Sequence, residues 1–231
     1  MSRVSNSGNS VLFRPGLTDG FYPERTSNGS GFLKKSLDAV TRHSHPAKIK
    51  TREFNRIIAG IHEYGEPLKK LDDLALAVAT ADMRSKLHHQ GLTKELAMET
   101  FALIRETAGR TVGMRHFDVQ LMGGWVMVHG GLAEMETGEG KTLTATLAAA
   151  TAALTGIPVH IITVNDYLVS RDAELMGPVY NALGLSVGTV TAEMDGPARR
   201  KGYACNITYC TNKQLAFDYL RDRILLGNDH G

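Results

Sequence analysis

The chain has 231 residues, of which 42% are hydrophobic and 22% charged, and its formal net charge is +2. This length and apolar content exclude a chain that is disordered throughout and suit one large domain with a buried core. The two cysteines, Cys205 and Cys210, exclude a disulfide scaffold, and their spacing is not the C-x-x-C of a redox or zinc site. We predict two reduced thiols near a buried strand, as is usual in the cytosol.

The charge is unevenly distributed along the chain. Residues 1–60 carry ten basic and four acidic side chains, and the remainder is mildly acidic. Residues 1–50 are predicted to be a disordered basic arm, because 1–31 are rich in Ser, Gly and Asn without periodicity. Residues 32–40 place apolar side chains on one helical face beside two lysines, which predicts a short basic amphipathic helix. Such an arm favours contact with anionic lipid or nucleic acid, and a solvated tail fits the charge equally well.

Three helical patterns follow the arm and predict a helical segment over residues 51–110. Apolar residues recur at helical spacing over 51–61 and over 68–87. A third helix is expected to begin after an N-cap at Thr93 and to end at Gly109.

The pattern changes after Gly130, where short β-branched runs alternate with helical stretches. This alternation predicts an α/β fold with a parallel sheet and right-handed crossovers. The apolar run at 159–164 is typical of a strand covered on both faces. The predicted elements are strands at 132–135, 159–164, 187–191 and 207–210, and helices at 142–154, 170–183 (broken or bent at 177–178) and 214–223.

Neither an export signal nor a membrane span is predicted. Residues 1–10 are polar and lack the apolar stretch of a signal peptide. Residues 142–165 contain no Asp, Glu, Lys or Arg, but a spanning helix needs roughly 20 strongly apolar residues. The abundant Ala and Thr, with Gly156 and Pro158, favour a buried helix followed by a buried strand.

The strongest functional signal is the sequence TGEGKT, which lies between a predicted strand and a predicted helix. Glycines at this junction let backbone N–H groups turn towards phosphates, and the first turn of the helix adds its positive end. Lysine would reach the β- and γ-phosphates, and the following threonine hydroxyl would bind Mg²⁺. Met135 replaces the first glycine of the general G-x-x-x-x-G-K-[ST] template. The candidate nucleotide-binding residues are Thr137, Gly138, Glu139, Gly140, Lys141 and Thr142, with Thr142 as the magnesium ligand.

A second candidate is Gln120, in the stretch GMRHFDVQ (113–120). Its amide offers both a donor and an acceptor, which matches the edge of adenine. A lone glutamine is more often a solvated surface residue, so the residue type alone favours that interpretation.

Four stretches together resemble the SecA family, the motor ATPases that drive preproteins through the bacterial translocon. They are GMRHFDVQLMGG (113–124), AEMETGEGKTLTATL (133–147), VHIITVNDYLVSRDAELMGPVY (159–180) and NITYCTNKQLAFDYLRD (206–222). The resemblance is clear over about 105–225, weaker over 52–104, and does not cover 1–50. It implies a P-loop, RecA-like parallel sheet over 111–231, preceded by the helical segment.

The resemblance also implies roles for individual residues. Gln120 would read adenine, the residues of TGEGKT would hold ATP and Mg²⁺, and the family has a methionine at the position of Met135. Arg171 and Asp172 match a stretch that relays nucleotide state, with Arg171 and Lys141 supporting catalysis, while an ordinary ion pair is an equal alternative for Arg171. Thr211-Asn212 matches a further stretch of the first motor lobe.

In the family, the carboxylates that activate water and a second lobe with an arginine finger follow later in sequence. An arginine finger is worth roughly 10³–10⁵ in rate, so we expect this N-terminal portion to bind ATP and to hydrolyse it feebly or not at all. Partners implied by the resemblance are the translocon channel, a preprotein and anionic lipid, with a possible homodimer. The implied location is cytoplasmic, on the inner face of the membrane.

Two alternatives stay open on the residues alone. A helicase-like lobe that hydrolyses ATP in response to nucleic acid shares this loop and an adenine-reading glutamine. The sequence Asn165-Asp166-Tyr167 matches the translocase pattern where helicases usually carry proline and arginine, so no nucleic acid is expected as a partner. A binding-only remnant is the other alternative.

Overall fold

The computed structural model describes residues 51–228. The predicted basic arm and its amphipathic helix at 32–40 lie outside the described residues. No helix within residues 51–228 is long and apolar enough to cross a membrane. The elements in chain order are α1 (Thr51–Leu68), α2 (Asp73–Gln90), α3 (Lys94–Thr111), α4 (Asp118–Val128), α5 (Lys141–Leu154), β1 (Val159–Thr163), α6 (Asp166–Ala182), β2 (Val187–Val190), α7 (Gly196–Tyr203), β3 (Ile207–Thr211) and α8 (Asn212–Asn228).

Side-chain caps fix where α2, α3 and α6 begin. The Thr93 hydroxyl accepts from the Leu96 N–H at 3.2 Å, which confirms the predicted N-cap of α3. The Asp72 carboxylate accepts from the Ala75 N–H at 2.7 Å. The helix predicted over 68–87 therefore begins at Asp73, because the cap ends the turn that follows α1.

The third cap lengthens helix α6. The side chain of Asn165 accepts from the Leu168 N–H at 2.9 Å, so α6 begins at Asp166 and not at residue 170 as predicted. The expected break at 177–178 is also wrong, since α6 continues through Pro178. Val179 and Tyr180 are fully buried on the core side of α6, and this packing outweighs the hydrogen bond that proline cannot donate.

The three strands form a parallel sheet in the order β1-β3-β2, which confirms the predicted sheet. Val159 of β1 and Val187 of β2 both pair with Ile207 of β3. The central strand β3 is buried at all five positions, whereas β1 alternates between half-buried and exposed residues. The prediction that both faces of β1 are covered is wrong for the described residues, where Ile162 is 45% exposed.

The strand predicted at 132–135 is not a strand in the structure. Within residues 51–228, the sheet contains β1, β2 and β3, and none of them pairs with this stretch. Leu132 is 91% exposed. An extended segment becomes a strand only when a neighbour completes its hydrogen-bond ladder, so a short apolar run does not determine one.

A single hydrophobic core joins the helical segment to the α/β part. It extends from Ile57 of α1 through Phe101 of α3 to Leu147 of α5 and Tyr209 of β3. The Phe101 ring meets the Trp125 ring of α4 edge to face, with centroids 5.8 Å apart. The domain boundary near residue 110 stays a prediction.

A buried carboxylate anchors the chain that leads into α4. Glu106 of α3 accepts from Arg115 at 2.5 Å and from Arg110 at 3.0 Å. Burial by itself would raise the pKa of the Glu106 carboxyl, but the hydrogen bonds from Arg115 and Arg110 outweigh it and lower this pKa. The start of the stretch that carries Gln120 is thereby fixed on α3.

We expect Glu106→Gln to lower the free energy of unfolding by about 2 kcal/mol at pH 7, because two charge-assisted hydrogen bonds are weakened. Glu99→Gln is the matched control. It weakens a more exposed ion pair with Lys86 at 3.4 Å and should cost less than about 1 kcal/mol. Equal costs in chemical denaturation would contradict this account.

The pH dependence has a definite sign. Because the folded-state pKa of Glu106 is lowered, its stabilisation is complete above the ordinary glutamate pKa and is lost as the pH falls through the lowered value. The difference between the wild-type chain and Glu106→Gln should therefore shrink on acidification, measured by denaturation at a series of pH values.

Candidate nucleotide site

The residues between α4 and α5 include a turn built on two glycines, which we call the glycine loop (residues 135–140). Gly138 and Gly140 have φ angles of +93° and +77°, a region that other residues adopt at a cost. Gly140 is the N-cap residue of α5, and no side chain caps this helix. The N–H groups of the first turn of α5 therefore point towards the loop without an intrahelical acceptor.

The lysine and threonine of the loop lie in that first turn. Lys141 is exposed, and its Nζ donates to the Glu136 carbonyl at 2.6 Å, across the loop. Thr142 is half-buried. The loop is closed on itself by a hydrogen bond from the Glu139 N–H to the same Glu136 carbonyl at 3.3 Å.

Gln120 lies directly against the glycine loop. Its Nε2 donates to the Glu139 carbonyl at 2.9 Å, and its Oε1 accepts from the Phe117 N–H at 3.0 Å. The residue is 5% exposed, so the solvated-surface interpretation is wrong. A Cβ added at Gly140 would collide with Gln120 Nε2. The amide keeps one donor and one acceptor position beyond these bonds.

His116 is a site residue that the sequence reasoning missed. It is fully buried, and its Nε2 donates to the Leu143 carbonyl of α5 at 2.9 Å. Burial lowers the pKa of the His116 ring to about 4, and the positive charges of Arg105 and Arg115 act in the same direction. The ring is therefore neutral at pH 7. Its only signal in the sequence was its position in GMRHFDVQ, four residues before Gln120.

Arg171 forms an ion pair with Asp172, which is the alternative to a supporting catalytic role that the sequence left open. Its guanidinium donates to Asp172 Oδ1 at 2.6 and 2.9 Å and lies 5.9 Å from the centre of the Tyr167 ring. None of these contacts involves the glycine loop. The Thr211 hydroxyl accepts from the Gln214 N–H at 3.2 Å and so caps the start of α8.

The residues around the loop fit an anion better than a protein-held metal. A helix N-terminus with free N–H groups, flanked by glycines with positive φ, is the backbone arrangement that binds phosphate. No group of three or more His, Cys, Asp or Glu side chains that could hold a metal occurs in the part of the chain that is described. Magnesium in phosphate sites is commonly held by one or two protein oxygens together with the phosphates, and the Thr142 hydroxyl suits that mode.

The two cysteines are thiols, as the sequence predicts. Cys205 and Cys210 are both free, and burial raises the pKa of the Cys210 thiol to about 11, so it is inert at neutral pH.

A parallel sheet with helices on its faces and a glycine loop at the start of a helix define a RecA-like lobe. The family signature of the SecA DEAD-like domain matches residues 39–231, and the chain belongs to the SecA family.

Several named relatives are translocase subunits. The chain is 46% identical over 205 residues to protein translocase subunit SecA 2 of Nitrosospira multiformis, covering 88% of this chain and 31% of that protein. It is 51% identical over 213 residues to SecA 2 of Bordetella avium, covering 91% of this chain and 32% of that protein. It is 59% identical over 141 residues to SecA 3 of Magnetococcus marinus, covering 61% of this chain and 21% of that protein. The chain spans about a third or less of the length of these relatives.

Gly140→Ala should impair the site more than Gly138→Ala, although both residues have positive φ. At Gly138 the added Cβ meets nothing within 4 Å, so the cost is backbone strain of about 1 kcal/mol. At Gly140 the Cβ also displaces the Gln120 amide from the Glu139 carbonyl. We expect ATP affinity, measured by titration calorimetry, to fall several-fold further for Gly140→Ala. Equal losses would mean that the contact with Gln120 does not matter.

Proposed function

We propose that this chain binds ATP with Mg²⁺ at the glycine loop, as the first lobe of a preprotein translocase motor. The observation that carries the proposal is the bond between Gln120 Nε2 and the Glu139 carbonyl. Through this one hydrogen bond, a side chain suited to the edge of adenine lies directly against a loop suited to phosphates.

Within this proposal each residue has a separate task. Backbone N–H groups of Gly138, Gly140 and the first turn of α5 hold the phosphate oxygens, and Lys141 exchanges the Glu136 carbonyl for a phosphate. The Thr142 hydroxyl is the protein ligand of Mg²⁺, which neutralises charge on the phosphates. Gln120 uses its remaining donor and acceptor positions on the base. Supporting roles for Thr137, Glu139 and Arg171 follow from the family resemblance.

The proposed activity of the whole protein is the coupling of ATP hydrolysis to protein transport. Family membership and the names of the relatives support this interpretation over a helicase-like ATPase driven by nucleic acid. The corresponding partners are a preprotein and the translocon channel. A homodimer of the full-length protein is part of the same proposal.

Association with the inner face of the membrane is proposed from sequence. Residues 1–60 carry ten basic side chains against four acidic ones. Each lysine or arginine near an anionic leaflet contributes about 1 kcal/mol, screened by salt. The proposal places the chain in the cytoplasm, bound peripherally to acidic lipid.

The nucleotide site is tested by comparing Lys141→Ala and Gln120→Ala. Lys141→Ala should weaken ATP, GTP and inorganic triphosphate alike, about ten- to a hundredfold, because a charged donor to phosphate is lost. Gln120→Ala should weaken ATP more than GTP, and inorganic triphosphate least, because it removes contacts to the base as well as the loop. Isothermal titration with the three ligands measures these ratios.

Gln120→Glu is the matched control for the amide. It keeps the acceptor for the Phe117 N–H but replaces the donor to the Glu139 carbonyl with a carboxylate oxygen. We expect a loss of ATP affinity at least as large as in Gln120→Ala. If Gln120→Ala weakened ATP and GTP equally, the role in base recognition would be wrong.

Lipid binding is tested by flotation of the 231-residue chain with vesicles. Binding should require anionic lipid, fall with added salt, and be lost when residues 1–50 are removed, since the excess positive charge is removed with them. Equal flotation with neutral vesicles would contradict the electrostatic account.

A further inference from the structure

His116 is held at both ends in the short connection between α3 and α4. Its backbone carbonyl accepts from Arg105 Nε of α3 at 2.8 Å. Its ring Nε2 lies 2.9 Å from the Leu143 carbonyl and 3.1 Å from the Thr146 hydroxyl, both in α5. One residue therefore connects the helix that precedes the Gln120 stretch with the helix that begins at the glycine loop.

The hydrogen bonds determine the tautomer of the ring. A carbonyl cannot donate, so the short contact with Leu143 requires the proton on Nε2. Nδ1 is then a bare acceptor, and it is buried without a hydrogen-bond partner in the described part of the chain. An unpaired buried acceptor costs free energy, so an apolar side chain would serve packing better. The presence of a histidine at this position is therefore explained by the hydrogen bond that Nε2 donates, and not by how the ring packs.

The position of His116 affects the nucleotide site through the neighbouring residue in the sequence. The next residue is Phe117, whose N–H is the donor to Gln120 Oε1 at 3.0 Å. The other end of the same amide holds the Glu139 carbonyl of the glycine loop. A shift of His116 would therefore move the Phe117 N–H, then the amide of Gln120, and then the loop.

We propose that His116 is a positioning residue for the nucleotide site, whose Nε2–H bond to the Leu143 carbonyl sets Gln120 against the glycine loop. The inference rests on the nucleotide site proposed above and adds a residue that need not touch the ligand. It predicts that the side chain at this position must supply a donor at the place of Nε2.

His116→Gln and His116→Asn form a matched pair of neutral amides. Glutamine can place a donor where Nε2 lies, whereas asparagine reaches only the place of Nδ1, where the described protein offers no partner. We expect His116→Asn to weaken ATP binding about two- to tenfold and His116→Gln to remain within about twofold of the wild-type chain. Equal losses in the two variants, or none in His116→Asn, would overturn the proposal.

Tyr180→Phe controls for a general loss of stability. It removes a hydroxyl from the buried pair of Tyr180 and Tyr209, whose oxygens are 3.4 Å apart on α6 and β3. This variant should lower the melting temperature and leave the dissociation constant for ATP unchanged. A loss of affinity in Tyr180→Phe equal to that in His116→Asn would mean that affinity follows stability alone, and would overturn the proposal.

Hydrogen exchange of the Phe117 amide separates this inference from the proposed function. The exchange is measured in the chain without ligand. Protection of the Phe117 amide should fall in His116→Asn and be retained in His116→Gln. This result does not depend on whether the chain is able to bind ATP. If the wild-type chain failed to bind ATP while this pattern held, the nucleotide site would be wrong and the positioning contact right.

A second variant keeps the test decisive if His116→Asn does not fold. Arg105→Met keeps most of the side-chain stem and removes the donor to the His116 carbonyl. It should reduce protection of the Phe117 amide in the same direction. Unchanged protection in a folded Arg105→Met chain would overturn the proposal.

Discussion

The geometry of the candidate site depends on one hydrogen bond, from Gln120 Nε2 to the Glu139 carbonyl at 2.9 Å. It connects a helix N-terminus in one part of the chain with a glycine loop about twenty residues later. Because Gln120 is 5% exposed, solvent competes weakly for this bond and it is worth more than a surface contact. A glycine is required at position 140, because a Cβ there would collide with the Gln120 amide that makes this bond.

Helices outside the α/β part hold this arrangement in place. Glu106 of α3 binds Arg115, and Arg105 of the same helix binds the His116 carbonyl. His62 of α1 contributes a more exposed contact, with its Nε2 2.8 Å from Asp118 Oδ1 at the start of α4. The helical segment and the sheet share one core, so packing and polar contacts act on the same stretch. The segment is therefore a structural support of the site as well as a neighbour of it.

Much of the fold could be predicted because its signals are local. The cap at Thr93, the parallel sheet implied by alternating strands and helices, and the glycine loop before α5 all follow from short patterns. Three errors came from contacts that sequence does not display. The cap at Asn165 extends α6, core packing of Val179 and Tyr180 carries the helix past proline, and residues 132–135 lack a pairing strand among those described.

The candidate site was predictable in its residue types and not in its internal contacts. The glycines and Lys141 were identified from the loop sequence. Gln120 was assigned through the resemblance of its stretch to the SecA family, because its residue type alone favoured a surface position. The bond from Gln120 to the loop, and the anchor from His116 to Leu143, depend on how α4 packs on α5. Residue spacing carries no information about contacts of this kind, which join residues 19 and 27 positions apart.

The central claim is that the Gln120 amide and the glycine loop act as one unit. It is tested by recording amide resonances of the ¹⁵N-labelled chain while inorganic pyrophosphate, which has no base, is added. The account predicts that the side-chain NH₂ signal of Gln120 shifts together with the backbone signals of residues 138–143, with the same saturation. Shifts in the loop with an unperturbed Gln120 signal would contradict it.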